Sequence, residues 1–267
     1  MNPEDTKWLH CLEEVQKSDL SDEDELKLLV FVRDLLLAPD EDEDKDPGYG
    51  SAIVVSALVN LVFQVARSVP YNDVRLKRLA DLLIGLKKSL CIDAEHYNPE
   101  DPRIIWKDEH LLEAASGTSH AYSLGPDDKP EYCRMALSMF TLLARITGAG
   151  LWGDRGVLVA TDSIDEGLKG PAPAIRSNPC ALNAAAVIAA QYILLAGEVL
   201  VKYANSLDNH IYREAWPTQE KWKIWAAKFK DIARSAPDED EWDLKRTAQK
   251  AYEKMISLWP ELFERNS

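Results

Sequence analysis

The stretch ALNAAAVIAAQYILLAGEVLVKYANS, residues 181–206, decides the fold. Apolar side chains recur through it with no two-residue alternation, so it reads as one long helix rather than a strand. Asn183, Gln191, Gly197 and Glu198 interrupt it. Those groups are costly against lipid but tolerable inside a helical bundle, so a core helix is expected and a membrane span is not.

Upstream of this helix, residues 131–147 are again periodic at helical spacing, and Gly148-Ala149-Gly150 stops them. A shorter helix is expected over about 157–168, ended by Gly170-Pro-Ala-Pro. Downstream, Thr218 caps QEKWKIWAAKFKDIARSA, and Pro237-Asp238 separates it from EDEWDLKRTAQKAYEKMISLW, a further helix. In the N-terminal half, Ser21 and the acidic residues after it start a helix over about 22–38, and a second covers about 51–69. Between them the run PDEDEDKDPGYG carries too many like charges to pack and is expected to be a flexible acidic loop at 39–50. Asn72-Asp73 opens a helix with Val74, Leu76, Leu79, Leu82, Leu83 and Leu86 on one face. From Cys91 to Pro130 the signal fragments, with WKDEHLLEAAS as a short helix. The sum is an all-α, bundle-like single domain over 1–267, with roughly nine helices and no significant sheet.

Bulk composition narrows the function classes. The 267 residues carry a formal charge of -14 and no offsetting basic stripe, which disfavours nucleic acid and anionic membranes as partners. The opening MNPEDTKWLHCLEE has no basic region followed by an apolar run, so a cytoplasmic protein is expected. Cys11, Cys91, Cys133 and Cys180 stand too far apart for zinc-ligand pairs or a dense disulfide framework, and read as reduced thiols.

Three stretches together resemble a family. Val69-Pro-Tyr-Asn72 leads into RLADLLIGLKK; Leu182-Asn-Ala-Ala-Ala runs through Gln191-Tyr-Ile to Ala196-Gly-Glu198; and Lys221-Trp222-Lys-Ile-Trp225 with Phe229 is followed by Ala248, Ala251 and Met255. In this order they are similar to a fungal family of helical proteins catalogued as domain of unknown function 3632. The resemblance implies a helical fold and a fungal, intracellular setting. It brings no established activity, although such proteins look like accessory members of secondary-metabolite pathways.

Motifs with chemistry attached are weak here. Asp127-Asp128-Lys-Pro-Glu131 has the letters of a terpene-cyclase metal motif, but Pro130 forbids a helix running through it and no second ligand segment follows. His110 and Glu113 reverse the order used by di-iron bundles. Gly148 to Gly153 does not have phosphate-cradling spacing and reads as a helix-to-helix turn. Neither a metal nor another cofactor is expected.

The informative residues are polar ones inside apolar helices. Asn183, Gln191 and Glu198 fall within an arc of about 80° at 3.6 residues per turn. Ser56, Asn60, Gln64 and Arg67 stack on the helix at 51–69. Buried polar groups must be hydrogen-bonded, so these seams either satisfy one another or line a wet cavity. Trp222, Trp225 and Trp242 read as core, whereas Trp106 and Trp152 lie in loop-rich stretches where an aromatic wall can face a cavity, with Arg145 shortly before Trp152. The resulting expectation is a substrate site built from Asn60, Gln64, Trp106, Arg145, Trp152, Asn183, Gln191 and Glu198. It would serve a cofactor-independent cyclase or isomerase binding a small apolar terpenoid or polyketide, with catalysis by orientation and hydrogen bonding. The alternative is a non-enzymatic helical scaffold or regulatory protein whose acidic surface meets a basic partner.

Overall fold

A computed structural model describes residues 49–90, 124, 129–169, 178–205 and 215–264. Among them are eight helices and no strand, which is the all-α architecture expected. The helices expected at 22–38 and in WKDEHLLEAAS, the acidic loop up to residue 48, the Asp127-Asp128 pair and Trp106 lie outside the described residues. The chain divides into two compact units, residues 1–121 and 122–267.

In the first unit, α1 (Tyr49–Ala66) and α2 (Val74–Leu90) pack as neighbours. Leu58, Val59, Val62, Phe63 and Ala66 are buried on α1, and Leu76, Leu79, Leu82, Leu83 and Leu86 on α2. Those on α2 are the leucines whose spacing marked its inner face. Helix α1 stops short of the expected residue 69, because Ser68 and Val69 turn back onto the carbonyls of Val65 and Ala66.

The second unit contains α3 (Pro130–Gly148), α4 (Gly153–Lys169), α5 (Pro179–Ala204), α6 (Gln219–Ser235), α7 (Leu244–Leu258) and the single turn α8 (Glu261–Glu264). Helix α5 is its hub, packing against α3, α4 and α7, while α6 lies against α7 and α4. Asn178 caps α5 by accepting from the amides of Cys180 and Ala181, and Pro179 stands at its first position, where no amide is needed. Thr218 caps α6 as expected, accepting from the Lys221 amide at 3.1 Å.

Contacts fix the helix directions. The first turn of α4 meets the last turn of α5 where the Tyr203 hydroxyl donates to Asp154 at 2.8 Å. At its other end, a Cβ on Gly167 would overlap the Ala185 carbonyl near the start of α5. These two helices are therefore antiparallel. The Gly148 to Gly153 turn reverses the chain between α3 and α4, which makes α3 parallel to α5. Trp222 of α6 donates its indole N–H to the Met255 carbonyl at 3.4 Å, while a Cβ on Gly197 of α5 would press on Leu258 of α7. The order is an up-down-up-down-up arrangement of α3 to α7.

Two glycines bring backbones into contact. A Cβ on Gly148 would overlap the carbonyl of Leu195, and one on Gly167 that of Ala185, so α3 and α4 lie directly on the α5 main chain. On α4, Gly156, Ala160, Ser163 and Gly167 form the small-residue row that makes this approach sterically possible. The expected aromatic core is present, with Trp222, Trp225 and Trp242 buried. Trp225 donates to Asp165 of α4 at 2.8 Å, and the Lys221 ammonium sits 3.0 Å from the same carboxylate, tying α6 to α4.

Candidate functional site

The α3–α5 contact sets the level of each residue on one helix against the other. Gly148 lies at Leu195, so three residues earlier on both helices Arg145 is level with Tyr192 and adjacent in height to Gln191. Helical phase then settles the side. On α3, Ser138, Thr141 and Arg145 fan out within about 80° of Gly148, on the side opposite to Thr147. Thr147 faces α4, where its side chain meets the position a Cβ on Gly156 would take. On α5, Gln191 and Glu198 lie on the side opposite to Ala185 and Ala189, which meet Gly167 of α4. Both sets flank the same edge of the α3–α5 interface, the edge away from α4.

This strip is graded from buried to open. Ser138 and Thr141 are buried, Arg145 and Gln191 are half-buried, and Glu198 is exposed. The Thr141 hydroxyl has no hydrogen-bond partner among the described residues, and the Arg145 Nε is likewise inaccessible to solvent. Glu198 stands about two turns above Gln191 and pairs with Lys254 of α7 at 3.0 Å, which makes it a surface ion pair. Asn183, half-buried, is about two turns below Gln191 and rotated toward α7. Of the residues expected to form a site, helical phase puts Arg145 and Gln191 on the same edge of the α3–α5 interface at neighbouring heights. Glu198 and Asn183 extend the strip without meeting them.

Trp152 ends up buried beneath the α3–α4 turn, not presented as a loop wall, and its indole N–H has no acceptor among the described residues. Gly150 and Gly153 take positive φ in that turn (71° and 50°), which confirms its reading as a helix-to-helix connection. Asn60 and Gln64 are exposed on α1 and form a strip of their own in the first unit.

Two features were not anticipated. Ser138 and Thr141 sit seven and four residues before Arg145, so the three form a polar row that helical spacing alone could have shown. Tyr192 is fully buried on the α4 side of the same interface, and burial pushes its phenol well above the ordinary range. Ser163 faces it and pulls the other way, yet makes no hydrogen bond with it at normal geometry, so the phenol stays without a partner among the described residues. Glu166 is also raised, first by desolvation and then by Asp162 one turn away. Tyr203 is raised by burial and by its bond to Asp154, and stacks on Trp216 with ring centroids 5.3 Å apart.

A family profile described as Protein of unknown function (DUF3632) matches residues 60–229, well over half of the chain, and the protein belongs to that family. The match takes in α2 to most of α6. It includes the first two stretches of the resemblance and Lys221 to Phe229, while Ala248, Ala251 and Met255 fall beyond it. No curated protein and no solved structure is significantly similar to the chain.

Proposed function

We propose that this protein is a cofactor-independent enzyme of fungal secondary metabolism, a cyclase or isomerase that holds a small apolar terpenoid or polyketide along the α3–α5 strip. The observation that carries the reading is the Thr141 hydroxyl, fully buried and without a partner among the described residues, on the edge where helical phase also puts Arg145 and Gln191. Leaving a buried hydroxyl unpaired costs about 1–3 kcal/mol, and a fold that accepts this beside a guanidinium and a carboxamide is arranged to receive another molecule's oxygen. The apolar body would lie along the strip, with Leu194 and Val201 of α5 as half-buried walls. Proximity and a fixed oxygen can lower a cyclisation barrier by several kcal/mol without a titrating catalyst.

Native mass spectrometry on protein purified from its own cells tests this. The expected result is a co-purifying small apolar molecule, lost in Thr141→Val while the melting temperature is kept. A chain that carries no such molecule and converts no apolar oxygenated compound would remove the reading.

A further inference from the structure

We infer, independently of the reaction proposed above, that the outer groove between α6 and α7 docks an acidic peptide segment of a partner protein. The formal charge of -14 is spread unevenly along the chain. Helix α6 carries five basic residues against two acidic, and α7 four against one, so both are positive within an acidic protein. Trp222, Trp225, Phe229, Ala248, Ala251 and Met255 occupy their inner faces, which turns the charged residues outward.

The two helices run antiparallel, with the Trp222 indole on the Met255 carbonyl and the Lys230 ammonium 5.6 Å from the centre of the Tyr252 ring. That second contact marks the side of each helix that faces the other. On this side Lys223, Ala227, Lys230 and Arg234 form a row on α6, and Lys245, Gln249, Tyr252 and Ile256 a matching row on α7, each at spacings of four, three and four. Neither row contains a carboxylate. Lys223, Ala227, Arg234 and Gln249 are exposed to solvent. Lys223, Lys230 and Arg234 form no ion pair among the described residues, whereas Lys245 already holds Asp238 at 2.5 Å. Asp231 and Glu253 stand one row further out on their helices, and Glu253 accepts from Gln249 at 2.7 Å.

The groove thus has cations along its length, with Ala227, Tyr252 and Ile256 between them. From Lys223 to Arg234 it runs about 17 Å, at 1.5 Å per residue, which suits carboxylates borne on one short segment whose apolar side chain rests on Tyr252 and Ile256. A larger polyanion fits less well. A nucleic-acid duplex or an anionic bilayer reaches past the groove into the field of the remaining acidic surface.

The probe is a fluorescein-labelled peptide of glutamate and leucine, about twelve residues long to match that span as a helix, titrated into the full chain by fluorescence anisotropy. Saturable binding is expected, weakening severalfold between about 50 and about 300 mM salt, and the lysine counterpart of the peptide should not bind. Lys223→Glu with Arg234→Glu should weaken binding about tenfold or more. Lys228→Glu with Lys250→Glu makes the same change in net charge on the sides of α6 and α7 turned away from the groove, and should change binding less than about twofold. Lys223→Gln, an exposed neutral change, should weaken it severalfold even if the double reversal fails to fold. Equal losses in the two double variants would trace binding to net charge and overturn the groove. Tighter binding of a phosphatidylserine vesicle or a DNA duplex than of the peptide would overturn the peptide assignment. Absence of peptide binding overturns it too, and carbodiimide cross-links from Lys223 to a carboxylate of the same chain would then identify the occupant as an acidic segment of this protein.

Discussion

Helices α1 and α5 present much the same sequence problem. Each is strongly apolar, and each carries one seam of amide and charged residues, at spacings of four and three on α1 and of eight and seven on α5. Asn60 and Gln64 on α1, and Arg67 just past its end, are all exposed, so the seam is a solvated edge. On α5, Gln191 is half-buried and lies on the edge of the α3–α5 interface where helical phase also puts Arg145 and Thr141 of α3. Composition within the helix does not separate the two cases. What separates them is a second helix with its own polar row, held in register by a glycine. A seam becomes a candidate site when a neighbour supplies its complement.

The contrast breaks most visibly at that glycine. Gly148→Val places a branched side chain on the Leu195 carbonyl, and we expect about 3 kcal/mol of destabilisation by urea titration, together with loss of any ligand. A neutral result would mean that α3 does not rest on α5, and the strip would dissolve with it. Asp165→Ala should cost about 2–3 kcal/mol, because it removes the acceptor of the buried Trp225 indole N–H and the ion pair with Lys221. It should leave ligand affinity unchanged, since this tie lies on α4, across the α3–α5 interface from the strip.

A smaller effect is expected at Tyr192, and it depends on pH. The folded phenol resists ionisation, so above about pH 10 the unfolded chain binds fewer protons than the native one and stability falls as pH rises. Tyr192→Phe should flatten that alkaline decline in the melting temperature while changing neutral-pH stability by less than about 1 kcal/mol. An unaltered alkaline slope would show that the phenol is not sequestered. Smallest of all in stability are Gln64→Leu and Gln191→Leu, each expected within about 0.5 kcal/mol of the parent. Only the second should weaken ligand binding. Should Gln191→Leu instead cost about 1–3 kcal/mol, its amide holds the fold together and the strip is structural.

Much of this architecture is readable before any coordinates. Helix α5 falls at 179–204 against an expectation of 181–206, and the offset comes from Asn178 and Pro179, a cap and first-position proline that read like punctuation. Helix α4 begins at Gly153, four residues earlier than expected, because Gly153-Asp-Arg-Gly156 has the composition of a loop while Gly156 is needed inside a helix to admit Thr147. Helix α7 begins at Leu244, later than its acidic prelude suggests, because Asp240 accepts from the amides of Trp242 and Leu244 and holds a turn there. Arg145 and Gln191 are individually conspicuous as polar residues in apolar runs. Their shared level is not, because it depends on which carbonyl Gly148 touches. Ser138 and Thr141 escape notice for a different reason: small hydroxyl residues occur throughout helical cores, and only the missing partner of Thr141 sets it apart.

The alternating helix directions also shape the field that an approaching molecule feels. Helices α3, α5 and α7 point one way and α4 and α6 the other, so each end of the unit mixes positive N-terminal and negative C-terminal poles. Asp154 and Glu220 sit in the first turns of α4 and α6 at the end where Arg145 and Lys202 occupy the last turns of α3 and α5, and side-chain charge thus offsets the poles locally. Three helices against two leave about one helix's dipole unopposed along the bundle axis. With a formal charge of -14, the long-range field of the chain repels anions, so attraction to Arg145 would act only over the last few ångströms.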